Sequence, residues 1–109
     1  MTTTTTTIWD ILNRAKADVA LAAHEHQYER FGPMTSDGTL PATGGLRSFV
    51  VGTGGADIYA HARVRAGGEK QAVAYGVLRL SLSAGNAKLR FVDVNDAVLD
   101  GGAFDCRKK

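Results

Sequence analysis

The chain has 109 residues, 44% of them hydrophobic and 22% charged, with a formal net charge of +2. That length suits a single domain with a modest core, and so slight a charge gives no ground for a nucleic-acid partner. A lone cysteine, Cys106, forbids an intrachain disulfide, and with no basic leader, apolar signal core or membrane-length run the simplest expectation is a cytoplasmic product.

Met1 to Thr7 is a threonine run with nothing to bury. It is expected to be a disordered or loosely extended leader, residues 1–7, ahead of one domain over 8–109. Thr7 with Asp10 fits a helix cap, and Ile8, Trp9, Ile11, Leu12 and Ala15 then supply the apolar stripe of a helix reaching Lys16. Asp18 to Ala23 reads as a short buried strand that opens into a loop. After Phe31 the turn signals Gly32-Pro33, Ser36-Asp37-Gly38 and Gly44-Gly45 mark a long connection. Leu46 to Val51 is a second strand, ended by Gly52-Thr53-Gly54-Gly55. Residues 56–71, with His61, Arg63, Arg65 and Gly67-Gly68, show no clear period. Ala72 to Ser83 predicts a long strand with Leu78, Leu80 and Leu82 on one face and Arg79 and Ser81 on the other. Ala84 to Ala87 turns the chain into a returning strand, Lys88 to Val94, with Leu89 and Phe91 apolar-side.

The chemistry concentrates in His24-Glu25-His26-Gln27-Tyr28-Glu29-Arg30, which brings together two imidazoles, a phenol and a guanidinium. Imidazoles at i and i+2 share a side on an extended backbone and oppose each other on a helix, so the pair is useful at a strand end or loop. Held there, they share one metal ion or take one each of an adjacent pair. His61 is the first choice for a third ligand, and Asp57 and Asp37 are the loop carboxylates that come next. The plainer reading is a histidine pair without metal and a surface His61. Tyr28 and Arg30 are candidates to position or polarise a phosphoryl oxygen, arginine through its planar fork. More commonly such residues anchor a loop to neighbouring carbonyls and carboxylates, and the sequence favours that role. Glu25 and Glu29 alternate away from the histidines as supporting or surface groups. Gly54 and Gly55 serve a tight turn or, on a sharper reading, close approach to a bound phosphate, although neither a Walker lysine nor a helix signal follows. Cys106 has no neighbour that would activate it.

The stretches Trp9-Asp10-Ile11-Leu12, Ala17-Asp18-Val19-Ala20-Leu21 and Ala23-His24-Glu25-His26-Gln27-Tyr28-Glu29-Arg30-Phe31 carry a resemblance that Arg47-Ser48-Phe49-Val50-Val51-Gly52-Thr53-Gly54-Gly55 and Tyr75-Gly76-Val77-Leu78-Arg79-Leu80 continue. In that order they resemble the last third of calcineurin-like metallophosphoesterases of the purple acid phosphatase type. The resemblance covers most of residues 8 to 93. It implies that His24 and His26, standing at the Gly-His-x-His motif with Ala23 in place of its glycine, are ligands of a two-metal phosphoesterase centre. The family's other ligands come from upstream motifs, Asp-x-His, Gly-Asp, Gly-Asn-His-Glu and a further histidine, none of which occurs in these 109 residues. They would come from elsewhere in the chain, from a second copy, from a separately encoded half, or not at all. Beyond Asp93, Asp100-Gly101-Gly102-Ala103-Phe104-Asp105-Cys106 keeps only a loose echo of the family's tail.

The expected fold is α+β, a mainly antiparallel β-sheet with one N-terminal helix, forming a partial metallophosphoesterase sandwich that oligomerisation completes. The expected function is a metal-dependent phosphoester hydrolase, a phosphodiesterase acting by metal-activated water, with its site completed in a homodimer. Zinc or manganese is the expected ion, with iron a further option, and a small-molecule phosphate ester the substrate. Neither nucleic acid nor membrane is expected as a partner. The alternative is a non-catalytic remnant or oligomerising interaction module that keeps the His-x-His motif without activity.

Overall fold

A computed structural model describes residues 3–35, 45–58 and 67–107. Asp37, His61, Arg63, Arg65 and most of the long connection after Phe31 lie outside the described residues. Helix α1 spans Thr3–Arg14, so it starts within the threonine run that was expected to be disordered or loosely extended. Once the apolar turns around Ile8 to Leu12 are formed, extending a helix adds a hydrogen bond for each residue fixed, and even β-branched threonine can follow. It stops short of Lys16, in a Schellman arrangement. The Lys16 N–H donates to the Asn13 carbonyl at 3.1 Å and the Ala17 N–H to the Leu12 carbonyl at 3.0 Å, with Lys16 left-handed at φ 60°. Asp10 and Arg14 pair one turn apart at 3.0 Å. Trp9 and Leu12 are half-buried, whereas Ile8 and Ile11 stand exposed, so the helix covers only part of its apolar stripe.

The described strands are β1 (Val19–Ala22), β2 (Tyr28–Phe31), β3 (Arg47–Val51), β4 (Gly68–Ala72), β5 (Gly76–Ser83), β6 (Asn86–Asp93) and β7 (Val98–Asp105). They form a four-stranded sheet in the order β1-β3-β2-β4 and a three-stranded sheet in the order β5-β6-β7. The α+β expectation of a mainly antiparallel protein with an N-terminal helix holds at this level. The exception is β1, which runs parallel to β3 because β3 inserts between it and β2.

The long strand expected over Ala72 to Ser83 is β5 from Gly76 onward, paired with β6; Ala72 instead ends β4, paired with β2 in the other sheet, and residues 73–75 link the two. Between them the chain crosses from one sheet to the other at Gly76. A Cβ there would lie 2.4 Å from the Val92 carbonyl oxygen, so only glycine permits the approach. Thr53, just after β3, locks the crossing: its hydroxyl donates to the Gly76 carbonyl at 2.8 Å, and the Gly76 N–H donates to the Thr53 carbonyl at 3.1 Å. The polar Gly-Glu-Lys-Gln of β4 has no apolar alternation because that strand is an edge. β7 is likewise an edge, with a register shift at Leu99, and it occupies the tail where the sequence pattern fades.

The sheets meet around Tyr28, Phe49, Leu89 and Phe91, with Val19, Val51, Ala72, Leu78, Leu80, Leu99 and Phe104 packed about them. The Tyr28 and Phe91 rings stack with centroids 4.2 Å apart. A buried aromatic of this kind contributes about 2–3 kcal/mol through area removed from water. The predicted alternation holds on β5 and β6, with Leu78, Leu80, Leu89 and Phe91 turned inward and Arg79 and Ser81 outward. Leu82 runs past the core and is 74% exposed.

Candidate functional site

The histidine motif forms a bent link between β1 and β2. His24 is left-handed at φ 80°, so the pair does not sit on the extended backbone that places i and i+2 on one side. The link folds on itself and onto the end of β3: the Gln27 N–H donates to the Glu25 carbonyl at 2.9 Å, and the Gly52 N–H donates to the Gln27 carbonyl at 3.0 Å. Gly52 is required by proximity. A Cβ on it would lie 1.9 Å from the Glu25 carbonyl oxygen.

His26 Nδ1 lies 2.6 Å from the backbone carbonyl oxygen of Asp57. A carbonyl oxygen can only accept, so Nδ1 carries the proton. In the neutral ring that leaves the lone pair on Nε2, the form in which imidazole ligates a metal, with the carbonyl fixing ring orientation. It is thus the Asp57 carbonyl that supports the histidine link. His24 is exposed beside it. Among the described residues no three His, Cys, Asp or Glu side chains gather as a potential metal cage. Two imidazoles are a donor set that fits part of a metal site and falls short of a complete one.

Next to this link lies a cleft of about 470 Å³ where the open edges of β1 and β5 approach, walled by Leu21, Ala22, Ala23, Val51, Thr53, Gly54, Val77 and Leu78. An adjoining hollow of about 440 Å³ includes Gly54, Gly55, Tyr75 and Val94. A Cβ added at Gly54 or Gly55 meets nothing within 4 Å, so the backbone there faces open space. Gly55 has φ 155°, which meets the expectation of a turn needing positive φ. The walls of both cleft and hollow are largely apolar.

No protein-family model, curated protein or solved structure matches the chain.

Tyr28 and Arg30, the candidates for handling a phosphoryl group, are built into the inter-sheet contact. Tyr28 is fully buried, and its hydroxyl donates to Asp100 Oδ2 at 2.5 Å. Arg30 grips the same carboxylate twice, Nε to Oδ2 at 2.8 Å and Nη2 to Oδ1 at 3.2 Å, and the Gly101 N–H donates to Oδ1 at 3.0 Å. Arg30 Nη1 also donates to Glu69, whose same oxygen accepts from Arg47 Nη1 at 2.9 Å. Burial, aided by the hydrogen bond to Asp100, pushes the Tyr28 phenol far above its ordinary range. Burial pushes the Asp100 carboxyl up, but the hydrogen bonds from Arg30 and Tyr28 outweigh it and hold the group below the usual carboxylate range. Its bond to Asp100 raises the Arg30 guanidinium in turn. The arrangement is that of anchors, tying β2 to β7 and β4.

Sequence reasoning missed Asp100 as their partner, since it lies 70 or more residues away along the chain. One signal was present: a carboxylate followed by Gly101-Gly102, in a stretch whose aromatic and leucine neighbours call for burial. Glu29, read as a surface or supporting group, is fully buried and accepts from Gln71 Nε2 at 2.9 Å.

Proposed function

We propose that the chain is a metal-dependent phosphoester hydrolase, a phosphodiesterase acting on small phosphate esters, whose site is completed when two copies associate. The observation that carries this reading is the His26–Asp57 contact, because a carbonyl at Nδ1 fixes the ring's orientation and the tautomer in which Nε2 is the acceptor nitrogen, as it is for histidines that ligate metals. His24 and His26 would hold zinc or manganese, with iron a further option, and His61 and Asp37, outside the described residues, would extend the set. Such an ion supplies Lewis acidity toward a phosphoryl oxygen and lowers the pKa of water. The chain's own part is to orient the imidazoles through Asp57 and Gly52 and to offer the open backbone at Gly54 and Gly55 to the ester. Tyr28 and Arg30 act by holding the scaffold beneath the link. Neither nucleic acid nor membrane enters this reading, which has a cytoplasmic setting. Among the described residues no helix is long and apolar enough to cross a membrane.

Association is supported by the edge of β1, which pairs with no second strand among the described residues and is an uncharged Val-Ala-Leu-Ala strand with Leu21 59% exposed. Native edges are normally blunted by charge, proline or a bulge, and this one has none. A two-fold pairing would bring two His-x-His links into one assembly. The test is hydrolysis of an aryl phosphodiester after chelation and metal readdition, with mass measured in parallel. His24→Ala and His26→Ala should each lower the restored activity by about 100-fold or more, beyond the 10–100-fold typical of losing a ligand's supporting partner. Unchanged activity in both variants rejects the proposal. The lack of a third ligand among the described residues favours the second reading, a non-catalytic remnant or oligomerising module. That reading predicts no metal retained per chain beyond that of the double histidine variant.

A further inference from the structure

The outward face of the β5–β6–β7 sheet carries three cations, Arg79, Lys88 and Arg90, that form no ion pair among the described residues. The register sets Arg79 directly opposite Arg90 and Ser81 directly opposite Lys88. Lys88 and Arg90 are two apart on β6, hence about 7 Å apart on the same face. All four side chains belong to exposed residues, and among the described residues the three cations take part in no ion pair or hydrogen bond. Like charges directly opposite on neighbouring strands destabilise a sheet. A multivalent anion laid across them removes that repulsion and gains charge-assisted hydrogen bonds.

The surface is shaped for such a ligand. Arg79, Ser81, Lys88, Leu89 and Arg90 line a concavity of about 250 Å³. On the β7 side the partners of Arg90 and Lys88 are Gly101 and Ala103, so no large side chain covers the cations. The acid on this face, Asp105, lies one row beyond Lys88 and is approached by Asn86 Nδ2 at 3.5 Å. Phe91 and Phe104 turn to the core, which leaves no aromatic platform for stacking a base on this face among the described residues. The concavity is also smaller than the roughly 300–1,000 Å³ of sites that enclose a drug-sized molecule. Recognition would therefore run through phosphate oxygens: arginine forks from two strands, the ammonium of Lys88, and the hydroxyl of Ser81.

We propose that this concavity binds a condensed phosphate, with Arg79 and Arg90 on its oxygens and Lys88 and Ser81 closing one side. The site stands apart from the hydrolase reading, because it lies on a different surface and needs no metal. Both binding and thermal unfolding of the full chain are measured in EDTA, with tripolyphosphate, ATP and orthophosphate as probes. Tripolyphosphate is expected to bind and raise Tm, and orthophosphate, with fewer charges, to bind at least about tenfold more weakly. Equal response to ATP assigns the phosphate chain alone as the ligand, and a stronger one assigns a nucleoside-borne chain. The Arg79→Gln/Arg90→Gln double variant should lose at least about tenfold in tripolyphosphate affinity while its unliganded Tm stays level or rises, since repulsion is relieved. Gly101→Glu provides a second route: it sets a carboxylate opposite Arg90, where a Cβ meets only the Leu89 carbonyl oxygen at 3.6 Å and Val98 Cγ1 at 3.8 Å. It too should weaken binding. A wild-type chain indifferent to tripolyphosphate, or undiminished affinity in both variants, overturns the proposal and leaves a solvated basic face.

Discussion

Replacing Asp100 with asparagine removes one charge from the contact that joins the two sheets, and the structure allows the cost to be worked out. The carboxylate accepts from the Tyr28 hydroxyl, from Arg30 Nε and Nη2, and from the Gly101 N–H. Hydrogen bonds to charged groups contribute about 1.5–3 kcal/mol each, and an amide can reproduce at most half of the acceptor sites. The Arg30 side chain is 21% exposed and keeps Glu69, so water and that partner recover part of the loss. A net cost of about 3 kcal/mol follows, near the lower end of what breaking a buried pair costs. At about 4 °C per kcal/mol for a domain of this size, Tm should fall by about 12 °C.

Urea unfolding followed by far-UV circular dichroism measures the difference, and pH tests its cause. The Asp100 carboxyl titrates below its ordinary range in the folded chain, so its contribution is fully present above the unfolded value of about 3.9 and is lost as pH falls through the folded value. The gap between wild type and Asp100→Asn should hold from pH 7 to about pH 4 and close below that. A gap under about 0.5 kcal/mol at neutral pH, or one that survives full protonation, refutes the assignment of this carboxylate as the clasp between the sheets.

Tyr28→Phe keeps the ring stack on Phe91 and loses only the hydroxyl, so it should cost about 1–2 kcal/mol at neutral pH. Because the buried phenol is raised, wild-type stability should fall as pH climbs past the unfolded value of about 10, and Tyr28→Phe should lack that component of the decline in alkaline urea titrations. Gly52→Ala forces a methyl to within 1.9 Å of the Glu25 carbonyl oxygen, and relieving it by backbone movement should cost about 1–3 kcal/mol. Since the movement falls on the histidine link, the variant should also shift the His26 ring resonances in an NMR spectrum. Unaltered resonances contradict the close approach.

Several elements were legible along the chain because neighbours alone specify them. The apolar spacing of Ile8 to Leu12, the leucine alternation of β5 and the Ala84-Gly85 turn each express a local period or a turn preference, and each appears near its expected place. The conformation of the histidine link was not legible. Its bend depends on Gly52 lying beneath it and on the Asp57 carbonyl 31 residues away, and neither leaves a mark on the motif itself. The late start of the strand expected from Ala72 was hidden for a related reason: residues 72–78 are apolar or glycine without a break, and only the contact between Gly76 and Val92 shows where the chain changes sheets.

Composition and periodicity were thus sufficient for a mostly β protein with a leading helix, and for the seven residues where imidazole, phenol and guanidinium gather. Packing assigned those residues their parts. Tyr28 and Arg30 became anchors once β7 delivered Asp100 to them, and Arg79, Lys88 and Arg90 became a single cationic surface once the hairpin register put them side by side. The physical reason is range: side-chain periodicity and turn preference act over a few residues, whereas a carboxylate's partner and a surface's charge depend on which distant strands burial brings together.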